Sequence, residues 1–328
     1  MANVTVLGAG AWGTAFGQVL ADAGNDVTMW AIEPEIVENI KTKHCNPDRL
    51  PNVKVLPDNI TAESDRAKAV EKAEIIIVTI AAQFARVALE PFKDLIAPDS
   101  IVVSLMKGIE KDTNKRMDQV VCEALDIPEE RFACLSGPNL SKEVSERQPT
   151  GAIVASANLE TAKRVAGVCR TAYFKTIASD DVIGTEMCGS LKNVIALAVG
   201  IVAGGGYGEN TTAMVQSQGL YELMLLGEAA GAKKDTFLSL AGVGDLIATC
   251  ASPLSRNYAF GANMGKGMSR EEAAEASNGV AEGVPTAAAV VALGEQYSVA
   301  TPLASAVKSF IEGEISTCDQ MIERMFEA

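Results

Sequence analysis

Short apolar runs alternate with stretches of helical spacing through the first half of the chain. The runs are rich in isoleucine and valine and lie at residues 4–7, 26–30, 74–80, 100–108, 132–138, 151–156 and 173–179. Near-continuous apolar runs between helices are typical of strands that are buried on both faces, as in a parallel sheet covered by helices. The pattern therefore predicts an α/β domain with a mostly parallel, doubly wound sheet.

The pattern changes after about Ser179. From Asp180 to the end we find no convincing strand, whereas AMVQSQGLYELMLLGEAAGA, REEAAEAS and PTAAAVVALGEQY all have helical spacing. This spacing predicts an all-α domain. We therefore expect a dinucleotide-binding domain over residues 1–179 and a helical substrate and catalytic domain over residues 180–328.

Three glycines follow the first predicted strand. Gly8, Gly10 and Gly13 stand in GxGxxG order between that strand and an apolar-periodic helix, and a second strand follows at Asp26–Trp30. In this setting the glycines allow a tight turn, a close approach of the backbone to a pyrophosphate, and helix-to-strand packing. The motif predicts a Rossmann-like domain that binds NAD or NADP, with the second substrate at the carboxyl ends of the strands, in a cleft beside the helical domain.

Composition narrows the class of protein. The 328 residues carry a formal charge of -14, which argues against a nucleic-acid partner or an anionic membrane and requires local cations for any anionic ligand. Seven scattered cysteines without a CxxC pair favour reduced thiols over a disulfide frame or a zinc site, so we expect no metal. The first residues show no secretory signal, and the apolar run 194–207 is short and interrupted by glycines. We expect a cytoplasmic protein.

The chain has few candidates for a proton carrier. Its one histidine, His44, follows the second strand, where we expect a solvent-exposed loop. Lysine is the natural substitute, because burial and a nearby cation lower its pKa toward the working range of an acid or base. Lys192 is the only formal charge between residues 187 and 208, and the adjacent Asn193 could orient a bound hydroxyl. The alternative is a surface lysine with its amine in water.

Other charged residues could complete such a site. Lys107 ends a strand-like run, where it either faces the cleft or caps the strand end. Asp245, in the apolar segment AGVGDLIATC, could pair with a lysine amine, and Thr249 lies on the same face if this segment is helical. Arg256, in the SRN motif at 255–257, is suited to bidentate binding of a phosphate.

Several motifs together resemble one family. They are GAGAWGTA at 8–15, SGPNLSKE at 136–143, GSLKNVIALAVG at 189–200, GVGDLIATC at 242–250 and SRN at 255–257. In order and spacing the chain resembles the bacterial-type NAD(P)-dependent glycerol-3-phosphate dehydrogenases over almost its whole length. The resemblance implies reversible hydride transfer between NAD(P)H and dihydroxyacetone phosphate, giving glycerol 3-phosphate for phospholipid synthesis, and it implies a homodimer.

The resemblance also implies residue roles. Lys192 matches the family's catalytic proton donor and acceptor, and Lys107 matches a contact of both substrate and cofactor. The positions that match substrate contacts are Gly137, Asn139, Asp245, Ser255, Arg256 and Asn257. Those that match cofactor contacts are Ala11, Trp12, Ile32, Ser141, Arg256, Val280 and Glu282. Asn139 stands where the family often has a small hydroxyl residue, and Ser141 where it usually has alanine.

Cofactor preference and two alternative functions stay open. Ile32 stands where the family often has a basic or polar residue, whereas Glu33 suits a ribose 2′-hydroxyl and would favour NAD. Glu33 equally reads as the acidic start of the next helix. The first alternative function is a related dehydrogenase of a short hydroxy acid, whose carboxylate Arg256 could also bind. The second is a module that senses NAD(H) without turnover, which would not need a proton donor.

Overall fold

The computed structural model describes residues 1–253, 255–277 and 281–326. The chain divides into two compact units, Met1–Met106 with Met117–Val182, and Lys107–Arg116 with Ile183–Ala328. This division differs from the predicted boundary at 179/180 mainly in the short segment Lys107–Arg116, which packs with the second unit. A segment embedded in the first half of the chain carries no sequence signal for such an exchange.

The first unit contains one eight-stranded sheet. Its strands are β1 (Asn3–Leu7), β2 (Asp26–Trp30), β3 (Ile60–Glu63), β4 (Ile75–Val78), β5 (Ile101–Ser104), β6 (Phe132–Ser136), β7 (Thr150–Ala155) and β8 (Phe174–Ser179). The order is β3-β2-β1-β4-β5-β6-β7-β8, and all neighbours are parallel except β6 and β7. The mostly parallel sheet is thus confirmed. The sequence reading missed β3, whose four residues ITAE lack an apolar run.

Helices cover both faces of this sheet. On one face α1 (Ala11–Asp22), α2 (Pro34–Lys43), α6 (Ser141–Ser145) and α7 (Leu159–Val168) pack on a core that includes Val6, Met29 and Ile77. On the other face α3 (Arg66–Val70), α4 (Ala85–Leu89) and α5 (Met117–Leu125) lie over the sheet, and Trp30 contacts Phe92 edge to face at 5.0 Å. The doubly wound arrangement explains why most strands read as continuous apolar runs.

The second unit is built of helices over the described residues from Ile183 onward, whereas its segment Lys107–Arg116 is a loop closed by an antiparallel bridge between Ile109 and Arg116. Its helices are α8 (Val182–Gly204), α9 (Glu209–Ala229), α10 (Lys234–Phe237), α11 (Asp245–Ala251), α12 (Arg256–Gly265), α13 (Arg270–Ala276), α14 (Gly283–Tyr297), α15 (Pro302–Glu312) and α16 (Cys318–Phe326). The α8 helix is long and apolar enough to cross a membrane, but 89% of its most apolar window is buried inside the structure. It is therefore the core helix of this unit.

Glycines let α8 and α12 approach at backbone distance. A Cβ atom on Gly200 or Gly204 of α8 would lie 2.3 Å or 2.1 Å from a carbonyl oxygen of α12. A Cβ atom on Gly261 or Gly265 of α12 would meet carbonyl oxygens of α8 at 2.3 Å and 2.1 Å. Because no side chain fits at these four positions, the crossing fixes α12 directly against the helix that carries Lys192.

A buried carboxylate links α9 to α15. The Glu222 side chain accepts hydrogen bonds from the backbone N–H groups of Leu303, at 2.7 Å, and Ala304, at 3.1 Å, in the first turn of α15. Apolar residues surround it, including Leu191 and Ile195 of α8. Burial raises the pKa of Glu222 to about 7, although the two N–H groups act in the opposite direction.

Glu222 should make stability fall as the pH rises from about 4.5 to 7. Its folded-state pKa lies above the unfolded value, so the folded state binds more protons between about pH 4.5 and 7, and the free energy of unfolding falls across that window by up to about 3 kcal/mol. We expect Glu222→Gln to remove this part of the pH dependence. Thermal unfolding at pH 5.5 and 8 measures it, with the exposed Glu228→Gln on the same helix as control. An unchanged dependence in Glu222→Gln would refute the assignment.

Candidate active site

The turn between β1 and α1 has the geometry of a phosphate cradle. Gly8 adopts a φ of +111°, and a Cβ atom on Gly13 would lie 2.1 Å from the Gly8 carbonyl oxygen, so both positions require glycine. Gly10 is exposed, and no side chain caps the start of α1. The uncapped N–H groups of a twelve-residue helix attract an anion. The turn therefore fits the pyrophosphate of NAD(P), and Gly8, Gly10 and Gly13 would hold it.

The other predicted cofactor positions of the first unit differ in exposure. Ala11 is exposed, whereas Trp12 is half-buried with its ring centroid 5.5 Å from that of Phe16. Ile32 follows β2 with 68% of its surface exposed. The adjacent Glu33 forms an exposed ion pair with Arg49 at 3.3 Å, so its carboxylate already has a partner.

Three predicted positions follow β6. Gly137 lies where a Cβ atom would be 2.6 Å from the carbonyl oxygen of Gly151, so close packing of the chain requires glycine there. The side chain of Asn139 is half-buried, and within the described residues both its amide nitrogen and its amide oxygen are buried without a hydrogen-bond partner. Ser141 is half-buried and begins α6. Asn139 is thus a polar group that a ligand could satisfy.

Four predicted residues of the second unit form one hydrogen-bonded cluster. The Lys192 amine on α8 donates to the Asp245 carboxylate and, at 2.6 Å, to the Thr249 hydroxyl. The Lys107 amine donates to the other oxygen of Asp245 at 2.7 Å. Thr249 in turn donates to the backbone carbonyl of Asp245 at 2.6 Å, so its hydroxyl oxygen is oriented to accept from Lys192. The predicted pairing of Asp245 with a lysine and the shared face of Asp245 and Thr249 are confirmed.

Local structure explains how these side chains meet. Asp245 is the first residue of α11, and a π-helical turn over Leu240–Gly244 precedes it. A Cβ atom on Gly242 in this turn would lie 2.1 Å from the carbonyl oxygen of Phe237, so the turn closes only with glycine. Single π-helical turns often occur at functional sites. Here the turn delivers a carboxylate, 2% exposed, to the α8 helix.

Burial sets the protonation of the cluster. Only 6% of the Lys192 side chain is exposed, so the alternative of a surface lysine with its amine in water is wrong. Burial lowers the pKa of Lys192 to about 8, Asp245 opposes this change, and the cation of Lys107 adds to it. Burial also raises the pKa of the nearby Cys250 thiol to about 12, which keeps that thiol neutral. Lys192 can therefore gain or lose a proton near neutral pH.

The SRN motif lies at the start of α12. Ser255 is its N-cap, with a side chain that accepts a backbone N–H, and Arg256 is exposed in the first turn. Asn257 is buried and accepts a hydrogen bond from the Gly283 N–H at 2.9 Å. Glu282 precedes that glycine and has one buried carboxylate oxygen without a partner in the described part of the chain. Burial raises the pKa of Glu282, and the Arg256 cation opposes the rise.

Asn193 and Val280 are two further predicted residues in the second half of the chain. Asn193 is buried next to Lys192, and a Cβ atom on Gly283 would lie 2.6 Å from its backbone oxygen. Val280 lies outside the described residues. Among the residues that the structure describes, no group of three or more His, Cys, Asp and Glu side chains is placed to hold a metal ion.

The sequence reading misplaced His44 and missed two polar side chains near the glycine turn. His44 is half-buried, not solvent-exposed, because it ends α2 in a left-handed conformation and the following loop packs back on it. The Leu56 N–H donates a hydrogen bond of 2.7 Å to the His44 carbonyl oxygen. Asn46 and Thr79 each donate to a carbonyl of the turn. No sequence signal marks them, because their partners are at least 32 residues away.

Known proteins match this chain along most of its length. Family models for the N-terminal and C-terminal parts of NAD-dependent glycerol-3-phosphate dehydrogenase match residues 3–162 and 181–323. A glycerol-3-phosphate dehydrogenase [NAD(P)+] of Bifidobacterium longum subsp. infantis is 64% identical over 99% of this chain and 97% of its own length. A glycerol-3-phosphate dehydrogenase [NAD(P)+] of Thermobifida fusca is 45% identical over 94% of this chain and 91% of its own length.

Solved structures agree with the sequence matches. The crystal structure of glycerol-3-phosphate dehydrogenase from Coxiella burnetii has a TM-score of 0.92 at 31% identity and covers 100% of this chain and 99% of its own. A D-mandelate dehydrogenase, with a TM-score of 0.61 at 15% identity, shares the fold alone. The chain thus belongs to the NAD-dependent glycerol-3-phosphate dehydrogenase family.

Proposed function

We propose that this protein catalyses reversible hydride transfer between NAD(P)H and dihydroxyacetone phosphate, giving glycerol 3-phosphate for phospholipid synthesis, with Lys192 as the proton donor and acceptor. The observation that carries the proposal is the buried Lys192 amine, which is held by Asp245 and Thr249. A cytoplasmic homodimer without nucleic-acid or membrane partners is part of the same proposal.

Reduction of a ketone places negative charge on the carbonyl oxygen. A protonated Lys192 stabilises that charge and then donates its proton, whereas bound NAD(P)H supplies the hydride. In the reverse direction a neutral Lys192 accepts the proton of the hydroxyl. A pKa near 8 suits both tasks, because an acid-base catalyst works best when its pKa lies near the working pH. Asp245 and Thr249 fix the direction of the amine.

Substrate phosphate requires cations in an acidic chain. Arg256 is exposed in the first turn of α12 and offers a planar pair of donors to a phosphate. We assign Ser255, Asn257, Gly137 and Asn139 to further substrate contacts, and Asn193 to the reacting hydroxyl. Lys107 contacts substrate and cofactor and balances the charge of Asp245, since two lysines share that one carboxylate.

The proposed cofactor contacts lie in both halves of the chain. Gly8, Gly10 and Gly13, with the adjacent Ala11 and Trp12, hold the pyrophosphate on the backbone N–H groups of the turn. The remaining contacts are Ile32, Lys107, Ser141, Arg256, Val280 and Glu282. We propose that the protein uses NAD or NADP as its cofactor.

Replacement of Lys192 should slow the chemical step strongly and spare cofactor binding. For Lys192→Met, which keeps most of the side-chain volume without an amine, we expect kcat for dihydroxyacetone phosphate to fall about 10²- to 10⁴-fold, the usual contribution of a general acid. The dissociation constant for NADH, measured by fluorescence titration, should change less than threefold. The exposed Lys266→Met is the matched control. Equal loss of turnover and cofactor binding would indicate a structural lysine.

The two reaction directions should respond oppositely to pH. Reduction needs protonated Lys192, so kcat/KM for dihydroxyacetone phosphate should fall as the pH rises through about 8, whereas kcat/KM for glycerol 3-phosphate should rise. Asp245→Asn removes a carboxylate that raises the pKa of Lys192, so both limbs should move to lower pH in that variant. Initial rates at 340 nm from pH 6 to 10 measure them. Limbs that do not move in Asp245→Asn would contradict the pairing.

Loss of Arg256 should weaken recognition of the phosphate. In Arg256→Ala we expect kcat/KM for dihydroxyacetone phosphate to fall about 10- to 100-fold, because a charge-assisted hydrogen bond is lost. At saturating NADH, which compensates for the loss of the proposed contact between Arg256 and the cofactor, the value for unphosphorylated dihydroxyacetone should hardly change. Arg270→Ala is the control, since Arg270 also begins a helix of the second unit. If the preference for the phosphorylated ketone survives in Arg256→Ala, the phosphate lies elsewhere.

A further inference from the structure

A buried amide braces the glycine turn from a distant part of the chain. Asn46 lies in the loop after α2 and is only 2% exposed. Its side-chain nitrogen donates to the carbonyl oxygen of Ala9 at 2.9 Å and to the hydroxyl of Thr14 at 2.8 Å. The Thr14 hydroxyl also donates to the Ala9 carbonyl, at 3.3 Å. Two side chains therefore hold one carbonyl of the turn.

The neighbouring peptide of the turn is held in the same way. The Thr79 hydroxyl, just after β4, donates to the Gly8 carbonyl at 2.9 Å. All described peptide bonds are trans, so the C=O and N–H groups of each peptide unit point in opposite directions. A fixed Gly8 carbonyl therefore fixes the direction of the Ala9 N–H, and a fixed Ala9 carbonyl fixes that of the Gly10 N–H.

The fixed N–H groups of Ala9 and Gly10 are the kind of donors that bind an anion. Gly10 is exposed, and a Cβ atom there would meet nothing within 4 Å, so the side of the turn at Gly10 is open. We infer that Asn46 is a positioning residue for the cofactor: it holds the Ala9 carbonyl inward so that the Gly10 N–H and the first turn of α1 face the pyrophosphate. This inference rests on the proposed function, because it takes the turn as the pyrophosphate site.

The loop that carries Asn46 is itself anchored. The Asn46 carbonyl accepts from the Leu50 N–H at 2.8 Å, and the His44 carbonyl accepts from the Leu56 N–H at 2.7 Å. Leu50 and Leu56 are 3% and 1% exposed, so two buried apolar side chains hold the loop on the C-terminal side of Asn46. A rigid support lets the amide orient the turn before the ligand binds, which lowers the entropic cost of binding.

Removal of the amide should impair cofactor binding selectively. For Asn46→Ala we expect the dissociation constant and KM for NADH to rise about 10-fold or more, because the turn loses its fixed orientation. At saturating NADH, kcat and the KM for dihydroxyacetone phosphate should change less than threefold, since the Asn46 amide donates to Ala9 and Thr14 of the glycine turn. Asn46→Leu keeps most of the volume without a donor and should behave alike.

The matched control is Asn59→Ala. The Asn59 amide also bridges two backbone carbonyls, those of Ala21 at 2.9 Å and Asn25 at 2.7 Å, but it does so at the far end of α1. Its loss should lower the melting temperature much as Asn46→Ala does and leave the KM for NADH unchanged. A parallel rise of that KM in both variants would mean that α1 stability alone matters, and would overturn the inference.

Three other results of these experiments would also decide between the inference and its alternatives. An unchanged affinity for NADH in a folded, active Asn46→Ala protein overturns the inference and leaves the proposed function intact. Failure of both Asn46 variants to fold would make Asn46 a structural residue, which equally overturns it. A wild-type protein that neither binds NADH nor reduces dihydroxyacetone phosphate would instead refute the proposed function.

Discussion

The ion pair between Lys192 and Asp245 is the interaction on which the candidate active site of the helical unit depends. An ammonium buried to this degree is strongly unfavourable unless a carboxylate and further hydrogen bonds compensate for the lost water. Asp245 and Thr249 provide that compensation, and Lys107 takes the remaining carboxylate oxygen. Three charged groups thus leave one net positive charge. A site with that charge suits a reaction in which an oxygen becomes negative.

In the proposed function, two different devices handle anions in this acidic chain. The first unit uses backbone N–H groups at the start of α1, which need no cationic side chain. Asn46 and Thr79 orient these N–H groups, because they hold carbonyls of the turn. The second unit uses side-chain cations, and the glycine crossing of α8 and α12 sets the positions of the helices that carry Lys192 and Arg256. A net charge of -14 is compatible with anionic substrates because both devices act locally.

Much of the fold and part of the candidate site could be predicted from the sequence. Seven strands could be located from short apolar runs, which are most continuous in β4, β5 and β6, where every residue is buried. The isolated charge of Lys192 on an apolar helix pointed to a buried amine. The family and the fold class are likewise confirmed. The strand β3 was missed because a short sheet-edge strand needs no continuous apolar run. Asn46 could not be found, since a hydrogen bond from an amide to a distant backbone carbonyl leaves no local pattern. The same holds for the packing of residues 107–116 with the second unit.

The most direct test of the account is the ionisation of Lys192 itself. Carbon-13 NMR of protein labelled at the lysine ε-carbon would follow each amine with pH, and the signal absent from Lys192→Met identifies this one. The buried Lys192 amine should titrate near pH 8, because burial lowers its pKa and Asp245 opposes that change. A Lys192 signal that titrates above pH 10 together with the exposed lysines would contradict it.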